Sequence, residues 1–182
     1  MNKEAREWYA LHVRSGTETG VLQAIAEIGD VDALAPSETT TIVTQRGRRE
    51  RTRVLMPGYV FVCAIMTPAM WQRLRHAKNV IGILGEPYYA AIPDEQMAAV
   101  MALYWHCVSG TRAVRIDGVT RITSGPLIEV PHRVTCAEPR QGRVTVELNL
   151  PGGAREVTLH ARFDAAQPGL YAQYKQHGED GG

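Results

Sequence analysis

The sequence predicts an α+β protein in two parts, an α/β sandwich followed by a small β-barrel. In the first part, up to about Cys107, apolar residues at helical spacing alternate with short β-branched runs. From Val114 onward only short alternating segments remain. The chain has 182 residues, of which 45% are hydrophobic and 21% charged, so it contains enough apolar material for two cores.

The first part begins with a strand and a helix. Trp8–Val13 is aromatic and β-branched at its ends, which favours a strand. Ser15 and Glu18 then have the spacing of a capping box, which predicts the start of a helix that ends at Gly29. A short strand over Asp32–Pro36 and a polar hairpin follow.

The remaining elements of the first part follow from proline positions and apolar runs. A strand is expected over Tyr59–Ile65 and a shorter one over Val80–Leu84. Thr67-Pro68 has the form of an N-cap with a first-turn proline, which predicts a second helix. Pro93 opens a third helix with apolar residues along one face.

The second part shows the pattern of short antiparallel strands. Val144–Leu150 alternates apolar and polar residues, and Pro151-Gly152-Gly153 supplies a hairpin turn. Further turn signals at Gly125-Pro126 and Gln141-Gly142 predict a small β-barrel. The predicted organisation is a first domain over 1–109, a linker over 110–117, the barrel over 118–165 and a disordered tail over 166–182.

Composition and charge argue against several classes of protein. The formal net charge is only +1, so any nucleic-acid contact must come from local patches. We expect neither a signal peptide nor a membrane span, because no apolar stretch of suitable length occurs. Cys63, Cys107 and Cys136 are far apart, which predicts reduced thiols and no zinc site. These features predict a cytoplasmic monomer without a cofactor.

The sequence also argues against catalysis. None of the six histidines has a carboxylate or cysteine at a spacing that implies a triad or a metal site. The glycines lack the strand–loop–helix setting of a phosphate-binding loop. We therefore expect a binding protein and not an enzyme.

An arginine-rich hairpin precedes the strand at Tyr59. Because guanidinium groups bind phosphate well, this hairpin could contact DNA or an acidic protein surface in a salt-sensitive way. A solvated edge, on which the charges only maintain solubility, explains the same pattern. The arginines are Arg46, Arg48, Arg49, Arg51 and Arg53.

The Pro-Gly bend after this hairpin places side chains suited to docking. Pro57-Gly58 fixes a turn before an extended chain, with Met56 and Tyr59 on opposite sides of it. Aromatic and methionine side chains bury much area at little entropic cost, so these residues and Trp8-Tyr9 are candidate partner anchors. The alternative is that they are core residues.

Several short motifs occur in an order found in one protein family. They are Trp8-Tyr9-Ala10-Leu11, the arginine hairpin, Pro57-Gly58-Tyr59-Val60-Phe61-Val62, Val80–Gly85, Ile92-Pro93, Ile122–Leu127 and Arg140–Glu147. Together they resemble the NusG-type transcription elongation factors over nearly the whole chain. The resemblance implies an N-terminal NGN-type domain, with an antiparallel sheet flanked by helices, followed by a KOW-type (SH3-like) β-barrel.

Within that family, the second domain most resembles the specialised paralogue LoaP, through Ser124–Leu127 and Arg140–Val144. It departs from the usual KOW pattern where Ile128–Pro131 stands in place of an early glycine. The resemblance implies an elongation and antitermination factor that suppresses pausing and termination at target operons. The alternatives are a housekeeping NusG-type factor, whose KOW domain binds a ribosomal protein or termination factor, and a ribosome-associated RNA-binding module.

The resemblance also implies three binding surfaces. A hydrophobic depression on the first domain would bind the clamp helices of the RNA polymerase β′ subunit, and the barrel would bind a structured hairpin of nascent RNA. Arg14, Arg75 and Lys78 are expected to contact non-template DNA. For each cation the alternative is a solvated charge. The polymerase-binding residues would be Trp8, Tyr9, Met56, Pro57 and Tyr59, and the RNA-binding residues Arg133, Arg140, Arg143 and Arg155.

Overall fold

A computed structural model describes residues 5–45, 47–85 and 90–165 of the chain. The expectations for Arg46 and for the tail at 166–182 lie outside these residues. None of the helices formed by the described residues combines the length and apolar character needed to cross a bilayer.

The first part contains the mixture of strands and helices that the periodicity predicts. A four-stranded antiparallel sheet has the order β2-β5-β1-β6, and β3 and β4 form a separate hairpin. In chain order the elements are β1 (Glu7–Val13), α1 (Glu18–Ala26), β2 (Asp32–Leu34), β3 (Ser37–Thr44), β4 (Gly47–Val54), β5 (Tyr59–Ala64), α2 (Pro68–Arg75), β6 (Val80–Ile83) and α3 (Asp94–Ser109).

The two helices before α3 differ in how they begin. Thr67 caps α2 as predicted, because its hydroxyl accepts a hydrogen bond from the Met70 amide at 3.1 Å. The capping box expected for α1 is wrong. Its N-cap is Thr17, whose side chain makes no capping bond, and Glu18 turns inward instead.

Each face of the four-stranded sheet packs against a different layer, because successive side chains of a strand point to opposite faces. One face of β1, with Tyr9, Leu11 and Val13, packs against α1 and α2. The other face includes Ala10 and belongs to a second cluster, which contains α3 and extends into the second part of the chain.

The second part, here called the C-terminal β-domain, consists of two three-stranded sheets in the orders β12-β7-β8 and β11-β10-β9. Closure of these sheets into an SH3-like barrel stays a prediction. The strands are β7 (Arg112–Ile116), β8 (Val119–Ser124), β9 (His132–Glu138), β10 (Arg143–Leu150), β11 (Gly153–His160) and β12 (Arg162–Asp164), with 3-10 turns at Pro126–Glu129 and Pro139–Gln141.

The segment at 110–117, expected as a linker, carries strand β7. Gly110 leaves α3 with a φ of 74°, and β7 then pairs with β8 and with β12. The amide of Arg162 also donates to the carbonyl of Thr111 at 2.9 Å. The first domain is therefore joined to the C-terminal β-domain without a spacer, because the chain enters the sheet directly after the helix.

One continuous cluster of buried apolar side chains connects the two domains. Helix α3 packs against β3 of the hairpin on one side and against β10 and the turn Pro126–Glu129 on the other. The cluster includes Phe61 of the sheet, Leu103 of α3 and Leu148 of β10, all at most 1% exposed. Each such side chain contributes about 1.5–3 kcal/mol when fully buried, so the packed arrangement of the domains is stabilised by apolar contact.

Candidate functional site

The Pro-Gly bend is fixed in place by a buried carboxylate. Gly58 has a φ of 85°, which a glycine adopts without a steric penalty. Its amide donates to Oε1 of Glu18 at 2.8 Å, and its carbonyl accepts from the Val13 amide at 2.9 Å. Burial raises the pKa of Glu18, but backbone amides, with that of Gly58 first, lower it more, so the net shift is downward. The bend is thereby attached to both α1 and β1.

Tyr9 does not belong to an accessible surface, so its assignment as a polymerase anchor needs correction. It is 4% exposed and packs in the cluster formed with α1 and α2, and its hydroxyl donates to Glu7 at 3.1 Å. The physical reason is strand alternation: Tyr9, Leu11 and Val13 all point toward the helices, whereas Trp8 points to the other face.

The other proposed anchors do not share the position of Tyr9, and one of them, Tyr59, lies at the junction of the two domains. Trp8 and Tyr59 are half-buried and pack against the cluster that both domains share, and Met56, 4% exposed, is part of it. Pro57 is exposed beside them. Whether these side chains form an apolar depression stays a prediction, and Tyr59 among them is in contact with Arg155 of the C-terminal β-domain.

Tyr59 is held by a residue of the C-terminal β-domain. The Arg155 guanidinium donates to the Tyr59 hydroxyl at 2.7 Å and lies 4.7 Å from the centre of its ring. The ring of His12 approaches the same tyrosine, with centroids 5.7 Å apart. Arg155 was expected to contact RNA, but in this structure it is occupied by a contact between the domains.

A second contact between the domains is a polar cluster around the buried Glu38, here called the Glu38 cluster (Glu38, Arg53, His106, Thr111 and His160). Glu38 lies at the base of the hairpin, with only 7% of its side chain exposed. Its Oε1 accepts from the His160 amide at 2.8 Å and from the ring of His106 at 3.0 Å, and its Oε2 accepts from the ring of His160 at 2.8 Å and from Arg53 at 3.1 Å. The donors come from β4, α3 and β11, so one carboxylate joins three elements.

The Glu38 cluster includes a Thr–His–Glu arrangement that resembles a catalytic triad. If the ring of His106 is neutral, Nε2–H donates to Glu38, and Nδ1 accepts the Thr111 hydroxyl proton at 2.7 Å. Thr111 and His106 are only 4% and 3% exposed, so a substrate carbonyl has no route to the hydroxyl. The arrangement therefore acts as a structural connection.

The hydrogen bonds at Glu38 change its acid–base behaviour. Burial raises the pKa of this carboxyl, but donation by the rings of His106 and His160, the His160 amide and Arg53 lowers it to well below its ordinary value of 4.5. Glu38 is therefore ionised at neutral pH. Burial, and then the negative charge of Glu38, raise the pKa of the neighbouring Cys107 thiol to about 11, which makes that thiol a poor nucleophile.

The residues expected to contact DNA are exposed, and two of them lie in adjacent segments. The amide of Arg14 donates to the carbonyl of Asn79 at 3.0 Å, which places Arg14 next to the turn that carries Lys78. Arg75, at the end of α2, stacks its guanidinium 5.0 Å from the ring centre of Trp71. Their contact with DNA stays a prediction.

The arginines expected to contact RNA do not form one surface. Arg133 donates two hydrogen bonds to Glu147, at 2.9 and 3.2 Å, so its charge is balanced within the domain. Arg140 is exposed in the turn Pro139–Gln141, and Arg143 lines a cleft beside the hairpin. Arg155 lies opposite Leu148 in the β10–β11 register, on the other face of the sheet from Arg143.

Comparison with known proteins assigns the family. A family profile described as "Transcription termination factor nusG" matches residues 6–101, which is more than half of the chain. The chain belongs to the NusG family. It is similar to the transcription termination/antitermination protein NusG of Yersinia pestis, 26% identical over 167 residues, which covers 85% of this chain and 92% of that protein. The protein of the same name from Staphylococcus carnosus (strain TM300) is 27% identical over 173 residues, 88% of this chain and 94% of that protein.

A solved structure of a NusG protein supports the same fold. It is described as "Domain interaction in Thermotoga maritima NusG", and it superposes with a TM-score of 0.57 at 22% identity, covering 85% of this chain and 93% of that one. This NusG-family chain is thus assigned to a family of transcription termination and antitermination factors.

Sequence reasoning missed the Glu38 cluster of this NusG-family protein. Glu38, His106 and His160 are separated by more than 50 residues at each step, so no motif spacing connects them. The signal in the sequence that pointed to the cluster was an acidic residue, Glu38, at the base of a hairpin rich in arginine. The correction for Tyr9, in contrast, was available from the sequence, because Tyr9, Leu11 and Val13 form one apolar face.

Proposed function

We propose that this protein is a transcription elongation and antitermination factor that binds the clamp helices of the RNA polymerase β′ subunit with its first domain. Trp8, Met56, Pro57 and Tyr59 form the binding surface, and Tyr9 is left out of it. The observation that supports this assignment is the position of these side chains. They lie in or beside the apolar cluster that both domains share, and not in the cluster under α1 and α2 that contains Tyr9, and Tyr59 is in contact with Arg155 of the C-terminal β-domain.

Binding of polymerase then requires the two domains to separate. In the packed arrangement the C-terminal β-domain is held against the first domain by the contacts of Arg155 with Tyr59 and of His160 with Glu38. Binding to the polymerase must offset the free energy of these contacts. Because only open molecules bind, the measured affinity is lower than the affinity of the open form in proportion to the small open fraction. Clamp-helix binding and domain packing are therefore competing equilibria.

The action on transcription needs no covalent chemistry. A factor that binds the clamp helices better in the elongating than in the paused conformation shifts polymerase toward elongation, by at most its difference in affinity for the two states. The released C-terminal β-domain then holds a hairpin of nascent RNA, or another factor, at a high effective concentration. Arg14, Arg75 and Lys78 face non-template DNA in this arrangement, and the protein works in the cytoplasm as a monomer.

A second candidate is a housekeeping factor of the NusG type, whose C-terminal β-domain binds a ribosomal protein or a termination factor. The names of the relatives, which combine termination with antitermination, favour this candidate over a narrow antitermination role of the LoaP type. A ribosome-associated RNA-binding module is disfavoured, because it does not account for the match of the NusG family profile to residues 6–101. Co-purified RNA polymerase supports the first two candidates, and ribosomal RNA alone supports the third.

Polymerase binding is tested with Tyr59→Ala and a soluble fragment that carries the clamp helices. We expect the affinity to fall about thirtyfold, since a hot-spot residue contributes about 2 kcal/mol or more. Tyr104→Ala is the matched control, because Tyr104 is a tyrosine of α3 that is 37% exposed and lies outside the proposed surface. Equal affinity of the wild type and Tyr59→Ala for the fragment would remove the assignment.

A further inference from the structure

A cleft of about 530 Å³ lies between the arginine hairpin and the C-terminal β-domain. The hairpin contributes both of its strands to this cleft, and the C-terminal β-domain contributes the start of β10 and the end of β11. The cleft therefore exists only while the domains are packed together. Its lining includes Thr40, Ile42, Arg51, Arg53, Arg143 and His160.

The charge in this cleft is unbalanced. Three guanidinium groups line it against a single carboxylate, that of Glu38, in a chain whose formal net charge is only +1. That carboxylate is already occupied by Arg53 and by both histidines of the Glu38 cluster. Among the described residues, Arg51 and Arg143 have no ion-pair partner, and both are exposed. Two cations thus converge on one space from two domains.

The acidic residues nearest to these cations do not balance them. Glu138 lies opposite Arg143 in the β9–β10 register, but it does not line the cleft and forms no ion pair with Arg143 in the described part of the chain. Glu50 lies opposite Thr41, one position along β4 from Arg51. Glu50 does not line the cleft, and among the described residues it forms no ion pair.

The hairpin arranges its cations in a row. In the β3–β4 register, Arg49, Arg51 and Arg53 lie opposite Ile42, Thr40 and Glu38, so all three belong to one face. Alternate residues of an antiparallel strand are about 6.8 Å apart, which gives a line of evenly spaced positive charges leading into the cleft. Such a line suits an extended polyanion better than a single small anion.

We propose that this cleft binds the phosphodiester backbone of a single-stranded nucleic acid, held between Arg51 of the hairpin and Arg143 of the C-terminal β-domain. Guanidinium groups form two parallel hydrogen bonds with a phosphate, and the lining offers no Phe, Tyr or Trp ring on which a base can stack. The site therefore reads charge and not sequence. The volume of the cleft is in the range of a small-molecule pocket, so a short stretch of single-stranded nucleic acid fits and a duplex does not.

This inference goes beyond the proposed function, in which the released C-terminal β-domain holds an RNA hairpin, because here the packed domains hold a single strand together. It differs in one respect: the C-terminal β-domain does not bind alone, because the hairpin of the first domain supplies half of the site. A nucleic-acid strand that contacts both domains shifts the protein toward the packed arrangement. The size of this shift is set by the difference between its affinities for the packed and the open states.

The experiment measures fluorescence anisotropy of a labelled oligouridine on the full chain, with Arg51→Ala, Arg143→Ala and the double variant. We expect each single substitution to weaken binding about tenfold. Each should also reduce the slope of log K against log salt concentration by about 0.7, the value for one phosphate contact to a single strand. Arg48→Ala is the matched control, since Arg48 is an exposed arginine of the same strand that does not line the cleft.

The outcomes separate this inference from the proposed function. If Arg143→Ala weakens binding and Arg51→Ala equals the Arg48→Ala control, the C-terminal β-domain binds RNA alone and the shared cleft is overturned. If wild type binds no oligouridine, the shared cleft is also overturned, and polymerase binding is still tested independently by Tyr59→Ala. An oligothymidine of equal length distinguishes DNA from RNA; equal affinity supports backbone recognition, and a large preference for either one contradicts it.

Discussion

The guanidinium of Arg155 and the phenol of Tyr59 hold each other across the domain junction. Their hydrogen bond is 2.7 Å long, and the cation lies 4.7 Å from the ring centre. One of these residues was expected to bind RNA and the other to bind polymerase. In the packed arrangement Arg155 and Tyr59 contact each other, so neither is available to its proposed partner until the domains separate.

The first prediction concerns Arg155→Ala. Loss of the hydrogen bond and of the cation–π contact removes about 1–2 kcal/mol from the packed arrangement, so the affinity of the full chain for the clamp-helix fragment should rise about fivefold to thirtyfold. Titration calorimetry with the fragment measures this. Arg121→Ala is the control, because Arg121 is an exposed arginine of the same domain on β8, away from the junction. A weaker interaction with Arg155→Ala would contradict the proposed competition.

The second prediction separates two roles of Tyr59. Tyr59→Phe keeps the ring but removes the hydroxyl that accepts from Arg155. We expect it to bind the clamp-helix fragment at least as tightly as the wild type, because it loosens the domain contact and retains the apolar anchor. Tyr59→Ala should bind more weakly. Equal losses for the two variants would show that the hydroxyl itself contacts the partner.

The third prediction concerns the pH dependence of stability at Glu38. Its pKa is lowered in the folded protein by His106, His160 and Arg53, which outweigh burial. As pH falls through the ordinary value of 4.5, the unfolded chain takes up a proton at this residue before the folded chain does. The free energy of unfolding contributed by Glu38 is therefore complete at neutral pH and is lost progressively below about pH 5.

Urea unfolding of the wild type and Glu38→Gln at a series of pH values tests this. The wild type should be clearly more stable at pH 7, and the difference should shrink as the solution becomes acidic. Glu147→Gln is the matched control, because its ion pair with Arg133 is more exposed and should contribute at most about 1 kcal/mol. If the difference in the free energy of unfolding between the wild type and Glu38→Gln does not change with pH, the assigned pKa shift is contradicted.

The fourth prediction concerns Gly125, which follows β8 and packs against the turn that joins α3 to the C-terminal β-domain. Gly125 has a φ of 111°, and a Cβ atom placed there would lie 2.6 Å from the carbonyl oxygen of Gly110. Because that oxygen is backbone, it cannot move without displacing the start of β7. We expect Gly125→Ala to lower the free energy of unfolding by about 3 kcal/mol or more.

Gly118→Ala is the matched control for this turn. Gly118 also has a positive φ, of 83°, but its Cβ would meet nothing within 4 Å. It should cost only the backbone strain, about 1 kcal/mol. Thermal unfolding of both variants measures the difference, and equal melting temperatures would show that the close approach to Gly110 is relaxed at little cost.

Much of the fold could be predicted because secondary structure depends on local periodicity. The alternation over Val144–Leu150 is matched by alternate burial along β10, and Thr67-Pro68 does start α2. The element boundaries shifted by a few residues, and β7 was missed. Arg112–Ile116 is short, and it becomes a strand through pairing with the distant β12.

The sequence by itself determined the order of helices and strands and the residues able to dock a partner, because both depend on side-chain type and local spacing. Tertiary packing decided which of them are available. It buried Tyr9 under α1 and α2, placed Tyr59 against Arg155, and brought Glu38 to His106 and His160. Tyr59 meets Arg155, and Glu38 meets His160, only when the two domains pack, and no local pattern in the sequence predicts those contacts.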